Sequence, residues 1–283
     1  MISIIIVNFR NPPLLKLCLT SIARVLPSSE ETEIIVVDSE STPETRNVVR
    51  TFMAHCPCRI LLAPFDENIG YTKGVNEGIR RASGAHICIL NPDIIMLSGT
   101  LENLAKYLNE HPSVGLVGPQ LLHFDDTIQD SGFRFYTPLI IAARRLPIPF
   151  RSRIEKSFII RPSHPTRPTE VDWLMGSALM TTRRAIDQIG LLDEKLFLYF
   201  SEVDLAHRFW ENGMSVVYLP SARMYHAHQR QSHAGHGLFD IFARKETRWH
   251  IADAVRYFRK HGVQGIRPTS PNNQSSGQIQ LIA

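Results

Sequence analysis

One short apolar run, ending in an amide, a proline and a carboxylate, limits this chain more than any other stretch: Ala85-His-Ile-Cys-Ile-Leu-Asn-Pro-Asp93. Ile87 to Leu90 is too short for a helix and suits a buried strand. Pro92 can neither donate to a sheet ladder nor continue the strand, so Asn91 and Asp93 fall just beyond its carboxyl end. Open α/β sheets bind their ligands at that edge. Taken alone, Asn-Pro-Asp is equally ordinary turn chemistry, so its meaning rests on what surrounds it.

The preceding residues repeat one pattern. Ile2 to Val7 is a continuous apolar strand, and Asn8 to Pro13 is a turn into a helix carrying Leu14, Leu15, Cys18, Leu19 and Ile22. Glu33 to Asp38 is a second strand ending in a carboxylate, followed by a helix from Thr42 or Pro43 to about Met53. Arg59 to Ala63 is a third strand, and Asp66 to Gly78 is a glycine- and asparagine-rich segment entering a helix through Arg81. Strands alternating with helices predict an α/β class with a Rossmann-like, mostly parallel sheet. Its ligand then lies at Asn8, Asp38, Asn68 and Asn91 to Asp93. The first turn lacks the G-x-G-x-x-G of dinucleotide dehydrogenases, and no G-x-x-x-x-G-K-[ST] occurs. A nucleotide bound here must be held by acids, amides and a metal.

The second half reads as a helix at Leu101 to Leu108, a strand at Val114 to Gly118 and a polar loop at Asp125 to Ser131. Leu139 to Arg161 mixes aliphatic residues with Arg144, Arg145, Arg151, Arg153, Lys156 and Arg161. That mixture fits an interfacial segment and equally a core helix with a solvated basic edge. Val171 to Met180 is buried structure, with a helix at Arg184 to Ile189. Glu202 and Asp204 open a helix that Gly213 stops, a position that the helix dipole alone favours for acids. Met214 to Leu219 is a last strand, leading to a histidine-rich segment through His236 and a basic amphipathic helix ending near His261. From Pro268 the tail is poor in apolar residues and predicts disorder.

In a chain of 283 residues a net charge of +4 gives no argument for nucleic acid. Four cysteines, Cys18, Cys56, Cys58 and Cys88, form no disulfide framework or zinc pattern at this length, and read as reduced thiols in a cytoplasmic protein. The amino terminus runs straight into strand residues without a basic leader, and no apolar run is long enough to span a bilayer.

These motifs, in this order, resemble the inverting glycosyltransferases of family 2, and within them the rhamnosyltransferase-like branch. The resemblance runs from Ile2 to about His261 and rests on Ile-Ile-Val-Asn8-Phe, Val-Val-Asp38-Ser-Glu-Ser41, Asn68-Ile-Gly70-Tyr71-x-x-Gly74-x-Asn76-x-Gly78, Leu-Asn91-Pro92-Asp93, Trp173-x-x-Gly176-Ser177 and Tyr199-Phe-Ser-Glu202-Val-Asp204. It implies a GT-A fold: residues 1–100 as the nucleotide-sugar half, 101–240 as the acceptor and catalytic-base half, a C-terminal helix over 241–267 and a disordered tail over 268–283. By the same resemblance Asn8, Asp38, Asn68, Gly70, Asn76, Asn91 and Asp93 bind the donor, while Trp173, Gly176, Ser177 and Asp204 lie on the acceptor side. Glu202 is the base. Asp93 holds Mg²⁺ or Mn²⁺, and His226 stands where some members place a further metal ligand, with a plain loop histidine the other reading. Ser39, Asn91 and Ser201 depart from the usual pattern, where asparagine, aspartate and an acid are expected. Asp204 also suits a role in orienting its loop or capping its helix with Arg208. His228, His233 and His236 lack the partners of a zinc site.

The reaction implied is sugar transfer, best matched by L-rhamnose from dTDP-rhamnose, to a saccharide or polyprenyl-linked acceptor of the cell envelope. A UDP-hexose donor is the near alternative. A non-catalytic nucleotide-sugar or glycan-binding relative, and a scaffold acting through Leu139 to Arg161 at a membrane surface, are the rivals from other classes.

Overall fold

The computed structural model describes residues 1–26, 31–56, 58–145, 150–162, 166–227, 245–265 and 267. The chain begins with β1 (Ile2–Phe9), α1 (Pro12–Val25), β2 (Thr32–Ser39), α2 (Pro43–His55), β3 (Arg59–Pro64), α3 (Tyr71–Arg81) and β4 (His86–Leu90). Local chemistry starts these helices. The Asn11 side chain accepts from Leu14 N and the Thr42 hydroxyl from Thr45 N, with prolines at the first helical positions. The chain continues through β5 (Ile94–Met96), α4 (Thr100–Glu110), β6 (Val114–Leu122), β7 (Ile128–Gln129), β8 (Gly132–Phe133), α5 (Pro138–Arg145) and α6 (Arg151–Phe158). It ends with β9 (Thr169–Glu170), β10 (Trp173–Leu174), β11 (Ala178–Thr182), α7 (Arg183–Ile189), α8 (Ser201–Glu211), β12 (Ser215–His226) and α9 (Lys245–His261).

The central sheet runs β3-β2-β1-β4-β11-β6-β12-β5. Its first four strands are parallel, as is the β6–β12 pair, so the mostly parallel sheet predicted from the alternating pattern is present. β11 lies antiparallel between β4 and β6, and β5 antiparallel along β12. β6 runs past Gly118 to Leu122, and Ile128 and Gln129 pair back onto it inside a segment whose polarity predicts a loop.

Strand alternation divides the core. Ile5, Val7, Ile35 and Val37 face α3 (Val75, Ile79) on one side, while Ile4, Ile6, Ile34 and Val36 face α1 and α4 on the other (Leu15, Leu19, Leu101, Leu104). α3 approaches β1 so closely that a Cβ on Gly78 would stand 2.2 Å from Ile5 Cγ2. Both faces are covered, which leaves the strand ends to carry polar chemistry. In the Leu139 to Arg161 segment, Ile140, Ala143 and Phe158 are buried while Leu139, Phe150, Arg151 and Arg153 are exposed. Among the described residues no helix is long and apolar enough to cross a membrane. The tail from Pro268, and His228, His233 and His236, lie outside the described residues.

Candidate active site

The register of β5 against β12 builds the first element of the site. His226 pairs with Ile94, the residue after Asp93, and Ala227 N donates to Asp93 O at 2.9 Å. The imidazole is thereby brought against the carboxylate, with His226 Nε2 3.3 Å from Asp93 Oδ2. The other ring nitrogen, Nδ1, lies 2.8 Å from Gln129 Oε1. A carbonyl oxygen cannot donate, so Nδ1–H donates to Gln129 and the Nε2 side of the ring is the one that faces Asp93. Asp93 Oδ1 is buried without a hydrogen-bond partner among the described residues. An orphaned carboxylate oxygen beside a carboxylate–imidazole pair whose tautomer is set from behind fits a divalent cation.

Glu202 forms the second element. In register with Leu90, Ala178 follows the Gly176-Ser177 turn, and Asn91 N donates to Ser177 O at 2.9 Å. A Cβ on Gly176 would lie 3.5 Å from the Glu202 side chain, in ordinary contact. The Tyr71 hydroxyl donates to Gly176 O at 2.9 Å, tying α3 to the same turn. Burial pushes the Tyr71 phenol far above its usual value, and the Glu202 and Asp93 carboxylates push it the same way, so all three share one electrostatic neighbourhood. Glu202 retains an exposed edge, yet burial raises its carboxyl to about 7, with the Asp253 charge adding to the shift. A carboxyl poised near neutrality suits proton transfer. The Ser177 hydroxyl is buried with no partner among the described residues.

The ends of β1 and β2 form the third element. Their register sets Asn8 opposite Asp38, and Asn8 Nδ2 donates to Asp38 Oδ1 at 2.7 Å. Both residues are fully buried, and burial pushes the Asp38 carboxyl above its usual range against that hydrogen bond. The Ser39 hydroxyl meets Asn68 Oδ1 at 3.2 Å and accepts from Ile69 N at 2.9 Å, while Asn68 Oδ1 also accepts from Gly70 N. Serine thus does the supporting work at this departure from the family pattern. Gly70 has φ +80°, and a Cβ there would stand 2.6 Å from the Phe197 ring.

Three residues expected at the site are engaged elsewhere. Asn76, buried in α3, clasps the Leu192 backbone through both N–H and C=O and donates to Glu194. Trp173 stacks with Phe133 and Tyr136, and its indole N–H is taken by Arg134 O at 2.7 Å. Asp204, fully buried, binds Arg208 at 2.9 Å, Lys260 at 2.6 Å and His261 at 2.7 Å. Burial alone would raise Asp204, but the His261 hydrogen bond and the Arg208 and Lys260 charges hold it down to about 2.

Sequence reasoning did not assign roles to Tyr71, Gln129 or Asp253. Asp253, buried in α9, accepts from the backbone amides of Phe197, Leu198 and Tyr199 at 3.1–3.2 Å and pairs with Arg256. Those three amides lead into Phe200, whose φ of +64° is costly for an aromatic residue, and then into Glu202. A hollow of about 800 Å³ between Gly84, Pro112 and Arg184 lies at the opposite, amino edge of the sheet, away from these groups.

A mostly parallel sheet with acids and amides gathered at its carboxyl edge is the GT-A arrangement of glycosyltransferases. Residues 3–166, more than half of the chain, match the family described as Glycosyl transferase family 2, and the chain belongs to it. It is 27% identical over 236 residues to the N-acetylglucosaminyl-diphospho-decaprenol L-rhamnosyltransferase of Mycobacterium tuberculosis, covering 79% of this chain and 75% of the relative. It is also 27% identical over 196 residues to a rhamnosyltransferase of Escherichia coli K12, covering 68% of this chain and 69% of that one. A mannosyltransferase from Pyrobaculum calidifontis, solved with GDP-Man and Mn²⁺, shares the fold with a TM-score of 0.61 at 20% identity, over 90% of this chain and 64% of that one.

Proposed function

We propose that this chain is an inverting glycosyltransferase that moves L-rhamnose from dTDP-rhamnose to a hydroxyl of a saccharide carried on a polyprenyl diphosphate. The observation that carries the reaction is the placement of Glu202, raised to about 7, in one neighbourhood with Asp93, Tyr71 and the Gly176-Ser177 turn. Rhamnose is supported by the names of both the M. tuberculosis and the E. coli relative, and the lipid-linked acceptor by the name of the M. tuberculosis one.

In this reading residues 1–100 hold the donor. The Asn8–Asp38 pair and the Asn68–Gly70 turn form the floor for the nucleoside, and Asn91 supplies an amide for a ribose hydroxyl. Asp93 and His226 would hold Mg²⁺ or Mn²⁺, which neutralises charge building on the departing diphosphate. Glu202 takes the proton of the acceptor hydroxyl as its oxygen bonds to the anomeric carbon. The carbon–oxygen bond to the diphosphate breaks on the opposite face, and that electron pair leaves with the diphosphate. One in-line displacement inverts the centre and needs a single base. Ser177 follows Gly176, where a Cβ would lie beside Glu202, on the proposed acceptor side. The four cysteines are free thiols, consistent with the cytoplasmic side of a membrane. Exposed Leu139 and Phe150 among exposed arginines suit peripheral contact with that surface.

The test is a transfer assay with dTDP-rhamnose and a synthetic polyprenyl-diphosphate saccharide, run beside thermal shifts with dTDP, UDP and GDP ligands in Mn²⁺. A ligand that binds only the folded chain raises its melting temperature. Metal-dependent stabilisation by dTDP ligands, with turnover lost in Glu202→Gln, is the expected result. Preference for UDP ligands moves the donor to a UDP-hexose. Silence across every ligand overturns catalysis and leaves a non-catalytic relative.

A further inference from the structure

On the side of α8 that faces α9, two histidines and a glutamate converge without any part in the site above. We propose that His207, Glu211 and His261 form a binding site for a zinc-class transition-metal ion that clasps the C-terminal helix to the helix bearing Glu202.

Glu211 Oε1 lies 3.2 Å from His207 Nδ1 and 3.7 Å from His261 Nδ1, and one ligand atom from each of the three falls within 4.8 Å of the others. Zinc bonds of about 2.0–2.1 Å in a tetrahedron set neighbouring donors about 3.3 Å apart, so the spacing is close to what an ion needs. His207 is 8% exposed, and its Nδ1 is a buried nitrogen with no hydrogen bond among the described residues. It reaches toward Glu211 one helical turn on, the spacing that places two ligands on one helix face.

The second ring is oriented from behind. His261 Nε2 lies 2.7 Å from Asp204 Oδ1, so Nε2–H donates to the carboxylate and Nδ1 is left turned toward Glu211. A carboxylate behind a histidine fixes its tautomer and strengthens it as a ligand. Asp204 is itself held by Arg208 and Lys260, and the two imidazoles pack with ring centres 3.9 Å apart. Glu211 is exposed, which gives an ion an entry path and leaves a fourth position for water. Two imidazoles with one carboxylate select a borderline metal such as Zn²⁺ or Co²⁺ over Mg²⁺. The donor chemistry thus differs from that of Asp93, where the diphosphate supplies hard oxygens.

Such an ion would join α8 to the helix whose Asp253 holds the 197–199 backbone, and so stiffen the support of Glu202. The test uses the full chain without an affinity tag, stripped with EDTA and titrated with Zn²⁺ or Co²⁺ in the absence of nucleotide. The expected result is one tightly bound equivalent and a raised melting temperature, both kept in Asp93→Asn. Affinity should fall at least tenfold in Glu211→Gln, an exposed position where folding is not at risk, and further in His207→Ala and His261→Ala. No bound equivalent, or binding lost in Asp93→Asn but unchanged in Glu211→Gln, overturns the proposal.

Discussion

Gln129 Oε1 lies 2.8 Å from Nδ1 of His226, while the opposite nitrogen of that ring faces Asp93 at 3.3 Å. The glutamine is therefore what aims the histidine. Replacing Gln129 with leucine removes the acceptor that holds Nδ1–H. Loss of such support typically costs about 10–100-fold in metal affinity. We expect Gln129→Leu to raise the Mn²⁺ concentration for half-maximal transfer by that factor with kcat at saturating metal little changed. His226→Ala should shift it further, and Asp93→Asn should abolish turnover. Metal titration of the transfer rate reads all three, and an unshifted requirement in both Gln129→Leu and His226→Ala would remove the histidine from the metal site.

Glu202 links activity to pH and to stability in opposite senses. Its carboxyl is raised from 4.5 to about 7, so with Glu202 as the proposed base kcat/KM should climb as pH rises through about 7 and that carboxyl loses its proton. The folded chain favours the protonated form. That contribution to stability is whole below about pH 4.5 and is lost as pH rises through about 7. Glutamine mimics the neutral form at every pH. Glu202→Gln should abolish transfer yet be more stable than wild type at pH 8, by up to about 3 kcal/mol and with a higher melting temperature, and nearly equal it near pH 5. Equal melting at both pH values would show that Glu202 ionises normally.

Asp253 offers a separate lever on the same residue. Three backbone amides and Arg256 converge on its buried carboxylate, and each amide left unpaired costs about 1–3 kcal/mol. Asp253→Ala should destabilise the chain by on the order of 3 kcal/mol and let the Phe200 backbone relax, carrying Glu202 out of line. The expected kinetic mark is a fall in kcat that outweighs any rise in the KM for donor, because Asp253 reaches the proposed donor half only through Phe197, which packs against Gly70. Steady-state kinetics at a temperature where the variant stays folded separates this from simple unfolding.

The strand ends were legible in the sequence because a buried parallel strand is a local pattern. Ile2 to Val7, Glu33 to Asp38 and Ile87 to Leu90 announce themselves, and the polar residues that stop them, Asn8, Asp38 and Asn91 to Asp93, fall at one edge. Pairings between distant segments carry no such signal. Gln129 meets His226 across 97 residues and lies in a stretch whose polarity suggests only a loop. Asp253 reaches the 197–199 backbone from a helix that reads as basic and amphipathic. Motif membership also overstates contact. Asn76 and Trp173 sit within motifs of the resemblance, but one is spent on the Leu192 backbone and the other on an aromatic stack. Tyr71, quoted within a motif without a role of its own, bridges to the Gly176 carbonyl.

Asp204 was expected beside the acceptor, and its surroundings predict a different phenotype. It is fully buried against Arg208, Lys260 and His261, and those partners hold its carboxyl down from 3.8 to about 2. A depressed carboxyl contributes stability that is present above about pH 3.8 and is lost as pH falls toward about 2. Removing one member of a buried ionic cluster leaves the others uncompensated and costs about 3–5 kcal/mol. Asp204→Asn should therefore unfold at markedly lower urea than wild type at pH 7 in EDTA. The gap should narrow as pH falls from about 4 toward 2, because the unfolded carboxyl takes up a proton near 3.8 while the folded one stays charged down to about 2. Near-wild-type stability at pH 7, or a gap that persists undiminished at pH 3, would show that the cluster does not lock α9 onto α8.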